Sequence, residues 1–232
     1  MKKSELNKII RNSLNLDELE DLNEGYIARS KTYELNTDML LAKTKEGHKK
    51  LYDSYVEAFN LSNAKLDSSD KRIANDKCSD FRGLKIDEQY NANAAYFHEL
   101  YFANISDPYS EITTDSIAHM RLNRDFGTFD DWQRDFVACA MSCRNGWALT
   151  VYSFFHQKYI NIIVDDHSSH LIPCNVLISL DMWEHARRDY LNNKNDYIVA
   201  MMREFNWQII ENRFKKNEMM IKALESIHNE WM

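Results

Sequence analysis

Apolar positions along this chain recur mostly at helical spacing, with one contrasting stretch past its middle. Residues 1–24 hold two short clusters: Leu6, Ile9, Ile10 and Leu14, then Leu16, Leu19 and Leu22. Each marks one face of a helix but is too short to fold alone, so this segment should pack on the body or on a partner. Thr37-Asp38 can cap a second helix, whose stripe includes Leu40, Leu41, His48, Leu51, Tyr52 and Tyr55. Residues 62–77 are polar, a loop or the exposed end of a helix, and a third helix is expected from about Asp87 to Asn104. The proline-containing stretch 106–115 is the best boundary. A fourth helix follows over about Ser116–Asn123. Thr128, with Asp130 and Asp131 suited to the positive end of a helix dipole, caps a fifth through about Cys143.

The texture then changes. Trp147–Tyr152, Tyr159–Val164 and Val176–Leu180 are short β-branched or aromatic runs split by polar turns, and so predict strands. Helices resume from about Met182, with Tyr197–Phe214 strongly amphipathic. The order of helices, three strands and helices predicts an α+β fold: an N-terminal helical hairpin domain, then a C-terminal domain with a three-stranded antiparallel sheet flanked by helices.

Composition agrees with that reading. Five Gly and two Pro in 232 residues supply too little turn chemistry for a many-stranded sandwich or barrel. A formal charge of −7 argues against a general nucleic-acid binder. No run approaches a membrane span, and the first residues lack a signal peptide's apolar core, so an intracellular protein is expected. Cys78, Cys139, Cys143 and Cys174 form no CxxC pair. Cys139 and Cys143 share a helical face, where two small packing residues are a better reading than a metal or redox pair.

Of the eight histidines, His119, His156 and His228 have no partner pattern. Four other segments carry more: His48 opens HKKLYDSYVEAFN, His98 lies in NANAAYFHELYF, His167 and His170 in DDHSSH, and Asp181 and His185 in LDMWEHA. Asp181 and His185 are four residues apart, so at a strand–helix junction both can converge on one ion. Three imidazoles and a carboxylate make a mixed N/O set suited to Fe, Mn or Zn, with room for a solvent ligand.

LDMWEHA at 180–186 resembles the DxWEHA signature of the iron/manganese superoxide dismutase family. FGTFDDWQRDF (126–136), NGWALTVY (145–152), FHELYFANI (97–105) and FNW (205–207) are similar to further motifs of that family. The resemblance spans roughly Tyr33 to Phe214. It implies one Fe or Mn per chain, held by His48, His98, Asp181 and His185, that converts superoxide to oxygen and hydrogen peroxide. It also implies roles for Tyr55, lining the substrate funnel, and for His167, hydrogen-bonding the metal-bound solvent. Trp147 and Trp183 would wall the site, and Glu184 would reach across a homodimer. Single anionic Asp181 with three neutral imidazoles would set the site's charge, while Lys49, Arg187 and Arg188 could steer superoxide.

Divided on this basis, the chain has an N-terminal extension (1–32), a helical hairpin domain (33–108), an α/β metal-binding domain (109–214) and a C-terminal helical tail (215–232). Two departures from the family pattern stand out. His48 and Tyr55 lie one residue closer than in the commonest first-helix motif, so a gapless alternative puts Thr44 at the first ligand position and His48 at a histidine behind the ligands. HARRDY at 185–190 lacks the family's tyrosine after the ligand histidine. These departures, with the apolar faces of both extensions, motivate an alternative: a dismutase-fold structural or interaction protein of a larger assembly, with weak or no activity. Asn-, Lys- and Ile-rich composition hints at an AT-rich, viral source, which would make a cytoplasmic protein virion-associated instead. A zinc hydrolase built on the same four residues ranks last, lacking an evident general base.

Overall fold

The structure is a computed structural model that describes residues 27–107, 109–169, 171–191 and 193–230, the side chains of 226–230 excepted. The apolar clusters of residues 1–24, His170 and the His228 side chain lie outside the described residues. From residue 27 an extended strap crosses a helical hairpin. Asn60 clamps the strap at both backbone groups of Ala28, accepting from its N–H (2.8 Å) and donating to its carbonyl (2.9 Å). Tyr52 then accepts from the Lys31 N–H and donates to Glu99.

The hairpin is α1 (Ala42–Ser68) and α2 (Asp80–Asn104). Thr44, His48, Tyr52 and Val56 recur every four residues, and that face of α1 is buried against α2. The expected cap at Thr37-Asp38 is corrected: α1 starts at Ala42, its N-cap Leu41 has no side-chain cap, and Thr37 instead closes a turn by accepting from Met39 N–H. A tertiary contact does the capping, through Asp189. Leu41, expected in the buried stripe, is exposed. Residues 62–68 are the end of α1, and a short 3-10 turn (Lys71–Ile73) leads towards α2. That helix begins at Asp80 rather than Asp87, because the Ser79 hydroxyl accepts from Arg82 N–H and nucleates a turn that has no buried face of its own.

Helix α3 (Ile117–Phe126) is capped by Ser116 and runs one turn past the expected end, to Gly127, whose φ of 99° terminates it. Thr128 caps α4 (Phe129–Ser142) as expected, accepting from Asp131 N–H at 3.0 Å. The sheet has order β2-β1-β3, with β1 (Trp147–Ser153), β2 (Lys158–Val164) and β3 (Cys174–Asp181) all antiparallel. Central β1 is buried at every position, which fits its unbroken apolar and small sequence. Its register pairs Trp147 with Val164 on one side and with Asp181 on the other. Trp132, Phe136, Phe205 and Phe214 fill the space between sheet and helices, each buried aromatic contributing roughly 1.5–3 kcal/mol. Polar groups there are paired too: Trp132 Nε1 donates to Thr150, which donates to Asn161.

After β3 the chain makes tight turns and a 3-10 turn (Arg188–Tyr190) instead of the helix expected from Met182. The Tyr197–Phe214 stretch is two helices, α5 (Lys194–Arg203) and α6 (Trp207–Glu230). Asn206 makes the break: its N–H donates to Asn104 of α2 and its side chain accepts from Ile209 N–H, restarting a helix in a new direction. Beyond Phe214, α6 stays docked. Glu218 accepts from Tyr159 (2.8 Å) and Arg121 (2.6 Å), while Asn217 bridges Tyr159 and Asn175. Among the described residues no helix is long and apolar enough to cross a membrane.

Candidate metal centre

Four elements bring four side chains to one point. Buried His48 projects from α1, His98 from α2, Asp181 from the last residue of β3, and His185 from the turn that follows. One potential ligand atom from each lies within 4.8 Å of all the others. The three Nε2 atoms face Asp181 Oδ2 at 3.0 Å (His48), 3.2 Å (His185) and 3.7 Å (His98). Asp181 is held from behind, its Oδ1 accepting from Trp183 N–H at 2.8 Å and its backbone carbonyl accepting from the Tyr197 hydroxyl at 2.7 Å. A turn rather than a helix follows β3, yet Ala186 and Arg187 N–H both donate to the Trp183 carbonyl, which curls the chain enough to return His185 to Asp181.

His98 Nδ1 lies 2.6 Å from the Ala94 carbonyl, which can only accept, so Nδ1 carries the proton and the Nε2 lone pair points inward. That Nε2 is buried with no hydrogen-bond partner. A cation at the convergence would satisfy it, and three imidazoles with one carboxylate fit Fe, Mn or Zn. Protonation states agree. Burial opposes charge on Asp181, but the hydrogen bonds from His185 and His48 outweigh it and hold the carboxyl well below its usual range. Burial depresses His48 despite Asp181, and lowers His98 to about 3 with help from His48. Neutral imidazoles and an ionised carboxylate are the forms that ligate metals.

A second layer surrounds these four. Trp147 Nε1 donates to His167 Nε2 at 2.9 Å, so the His167 proton sits on Nδ1, which is buried and unpartnered. Asn93 of α2 fixes the His167 backbone, donating to its carbonyl at 2.7 Å. Burial brings the His167 pKa down to about 4 against the pull of Asp181 and Asp166. The Tyr55 ring lies 5.4 Å from both His98 and His167, and its hydroxyl shares a hydrogen bond with Tyr90; burial first, then Tyr90, raises its pKa. Trp147 stands edge-on to His98 at 4.9 Å, and Trp183 faces His167 at 5.4 Å.

Thr44, the alternative at the first position, donates to Asp189 at 2.7 Å. Exposed Glu184 lines an open groove of about 680 Å3 with Asn145, Trp183, His185, Arg187 and Arg188. His185 lines that groove, its side chain 24% exposed against 0–1% for the other three. His119 stacks on Phe129, and His156 binds Ser153, neither in the cluster. The four cysteines are free, and burial pushes the thiols of Cys139 and Cys143 up to about 11 and about 12. Sequence reasoning missed Tyr90, Asn93, Tyr197 and Asp189. For the first two a signal existed, since Tyr90, Ala94 and His98 repeat every four residues of α2 with Asn93 beside them.

Residues 114–213 match the family model described as iron/manganese superoxide dismutases, C-terminal domain. A superoxide dismutase [Fe] of Aquifex pyrophilus is 31% identical over 184 residues, covering 76% of this chain and 83% of that protein. A superoxide dismutase [Fe] of Cupriavidus metallidurans is 31% identical over 166 residues, 70% and 82% of the two chains. A superoxide dismutase [Mn] 2 of Haloferax volcanii is 27% identical over 162 residues, 69% and 79%. The chain belongs to the iron/manganese superoxide dismutase family.

Proposed function

We propose that this chain is a superoxide dismutase whose Fe or Mn is held by His48, His98, Asp181 and His185. The observation that carries the reading is the convergence of three histidine Nε2 atoms and one carboxylate, with the His98 lone pair buried and unpaired. Once bound, the ion supplies one-electron exchange in both directions, so that two superoxides and two protons yield one dioxygen and one hydrogen peroxide. Asp181 contributes the single negative charge of the ligand set, and its two outer hydrogen bonds keep Oδ2 aimed inward. His167 offers its Nδ1 proton to solvent or substrate, and Trp147 holds that tautomer. Tyr55 keeps its phenol neutral and its proton available beside His167.

Superoxide must approach a chain of net charge −7, so local cations have to supply attraction. Arg187 and Arg188 stand in the groove beside His185. A homodimer through the Glu184 region is supported by the exposure of Glu184 itself and of the large apolar Leu191 that lines the same groove. Four free cysteines suit a reducing, intracellular compartment.

Elemental analysis of the purified protein, with a superoxide-consumption assay on wild type and His48→Ala, tests the reading. It expects about one Fe or Mn per chain by the one-site stoichiometry, with activity lost on substitution. Metal-free protein, or metal without turnover, overturns it. Sedimentation of wild type against Glu184→Ala tests the dimer, which should weaken in the variant.

A further inference from the structure

We infer that Asp189 and Thr44 are a positioning pair that sets the separation of His48 and His185 and thereby tunes metal affinity. The inference rests on the metal-site reading above and deepens it. Asp189 Oδ1 accepts from the Thr44 hydroxyl at 2.7 Å, and Oδ2 accepts from Leu41 N–H at 2.8 Å. Helix α1 has no side-chain cap at Leu41 and no acidic residue in its first turn, so this carboxylate is the negative group at its positive end. Tyr190 adds a third tie, its hydroxyl donating to the Met39 carbonyl at 2.8 Å.

Spacing gives the contact its consequence. Thr44 lies one turn before His48 on α1, and Asp189 lies four residues after His185, in the 3-10 turn that directly follows the turn carrying it. His48 and His185 meet at Asp181 Oδ2, and Thr44 and Asp189 meet one step further out. The two ligand-bearing segments are therefore joined twice, once through the site and once behind it. Without the outer joint, the uncapped first turn of α1 can fray and His48 can drift relative to His185. Thr44, which a gapless alignment would make a ligand, acts on the site through the segment that carries one.

The test measures Mn2+ affinity of the full chain by competition with a chelator, together with the visible absorption of the oxidised manganese protein. Asp189→Ala should bind Mn2+ roughly tenfold more weakly, the low end of what outer partners of metal ligands are worth, and should shift the absorption band. Asp189→Asn, which keeps an acceptor for one of the two donors, should recover part of the loss. Thr44→Val should resemble Asp189→Ala, Thr44→Ser should resemble wild type, and Asp189→Ala with Thr44→Val should be no worse than either alone. Ser116→Ala removes the cap of α3 and controls for stability; it should leave affinity and band unchanged. If Asp189→Ala does not fold, the contrast of Thr44→Val with Thr44→Ser carries the test. Wild-type affinity and an unshifted band in Asp189→Ala and Thr44→Val overturn this inference alone. A wild-type chain that takes up no Mn2+ or Fe overturns the metal-site reading and this inference with it.

Discussion

Replacing Gly146 with alanine should destabilise the protein severely. Gly146 sits immediately before β1 with φ of 130°, a region essentially reserved for glycine, and a side chain there costs about 1–3 kcal/mol in backbone strain. Space is the second obstacle. A Cβ at Gly146 would lie 2.0 Å from the Val164 carbonyl oxygen, 2.8 Å from Asp165 Cα and 3.0 Å from the Asp165 carbonyl carbon. All three are backbone atoms at the end of β2, so no rotamer change relieves the overlap; one strand end must move, at about 1–3 kcal/mol. On the other side, the Gly146 carbonyl accepts from Met182 N–H at 2.7 Å, one residue past Asp181, which limits movement that way. The sum is about 2–6 kcal/mol, a large share of the roughly 5–15 kcal/mol that holds a protein folded. For a chain of this size that lowers Tm by roughly 5–20 °C. Thermal unfolding of the metal-free full chain reads it, with Gly83→Ala as internal control. Gly83 lies within α2 with nothing within 4 Å of its would-be Cβ, so that change should stabilise by about 0.5–1 kcal/mol. The reasoning is refuted if Gly146→Ala melts within about 2 °C of wild type, less than 1 kcal/mol on the same scale.

Three other outcomes are expected. His98→Ala should lose stoichiometric Fe or Mn while folding, since it removes the buried, unpartnered Nε2; metal analysis at wild-type content would contradict the proposed ligand set. His167→Ala should keep its metal but lose roughly 10–100-fold in turnover, as outer partners of metal sites commonly do, measured as superoxide consumed per bound ion. The metal-free protein should lose stability as pH falls from about 6.5 towards 4. Buried His98 and His167 titrate at about 3 and about 4, so in that window the unfolded chain binds protons that the folded chain refuses, and the balance shifts to the unfolded state. Asp181 adds a further loss below about pH 4, the ordinary carboxylate range, because folding holds it ionised. Denaturant midpoints measured across pH check the sign; a midpoint that rises on acidification would contradict it.

What could be read from the chain, and what could not, divides along the range of the interactions involved. Thr128 caps a helix with its own next residues, and the β-branched runs at 147–152, 159–164 and 176–180 form strands by their own preferences, so these were legible. The start of α1 was not, because its cap comes from Asp189, 148 residues beyond Leu41. Nor was the break between α5 and α6. Locally the pattern is continuous and amphipathic, and the turn is imposed by Asn206 reaching Asn104 on another helix. The α2 start was missed for a different reason: Ser79 is a local signal, but the turn it begins has no buried face to advertise it.

The candidate site shows the same division at finer scale. Its four side chains could be singled out because DxWEHA is a local motif and His98 sits on an aromatic face. YVEAFN favours His48 over Thr44 by fixing the register at Tyr55, although the two lie four residues apart on one face of one helix. In the folded chain the two meet different neighbours. His48 Nε2 faces a buried carboxylate at 3.0 Å, where a lone pair and a negative charge invite a cation. Thr44 faces a half-buried carboxylate whose second oxygen is already taken by a backbone N–H, which leaves a hydroxyl donor satisfied and no vacancy for an ion. Two carboxylates, Asp181 and Asp189, thus sort two neighbouring turns of α1 into different work, the first gathering imidazoles and the second closing the frame behind them.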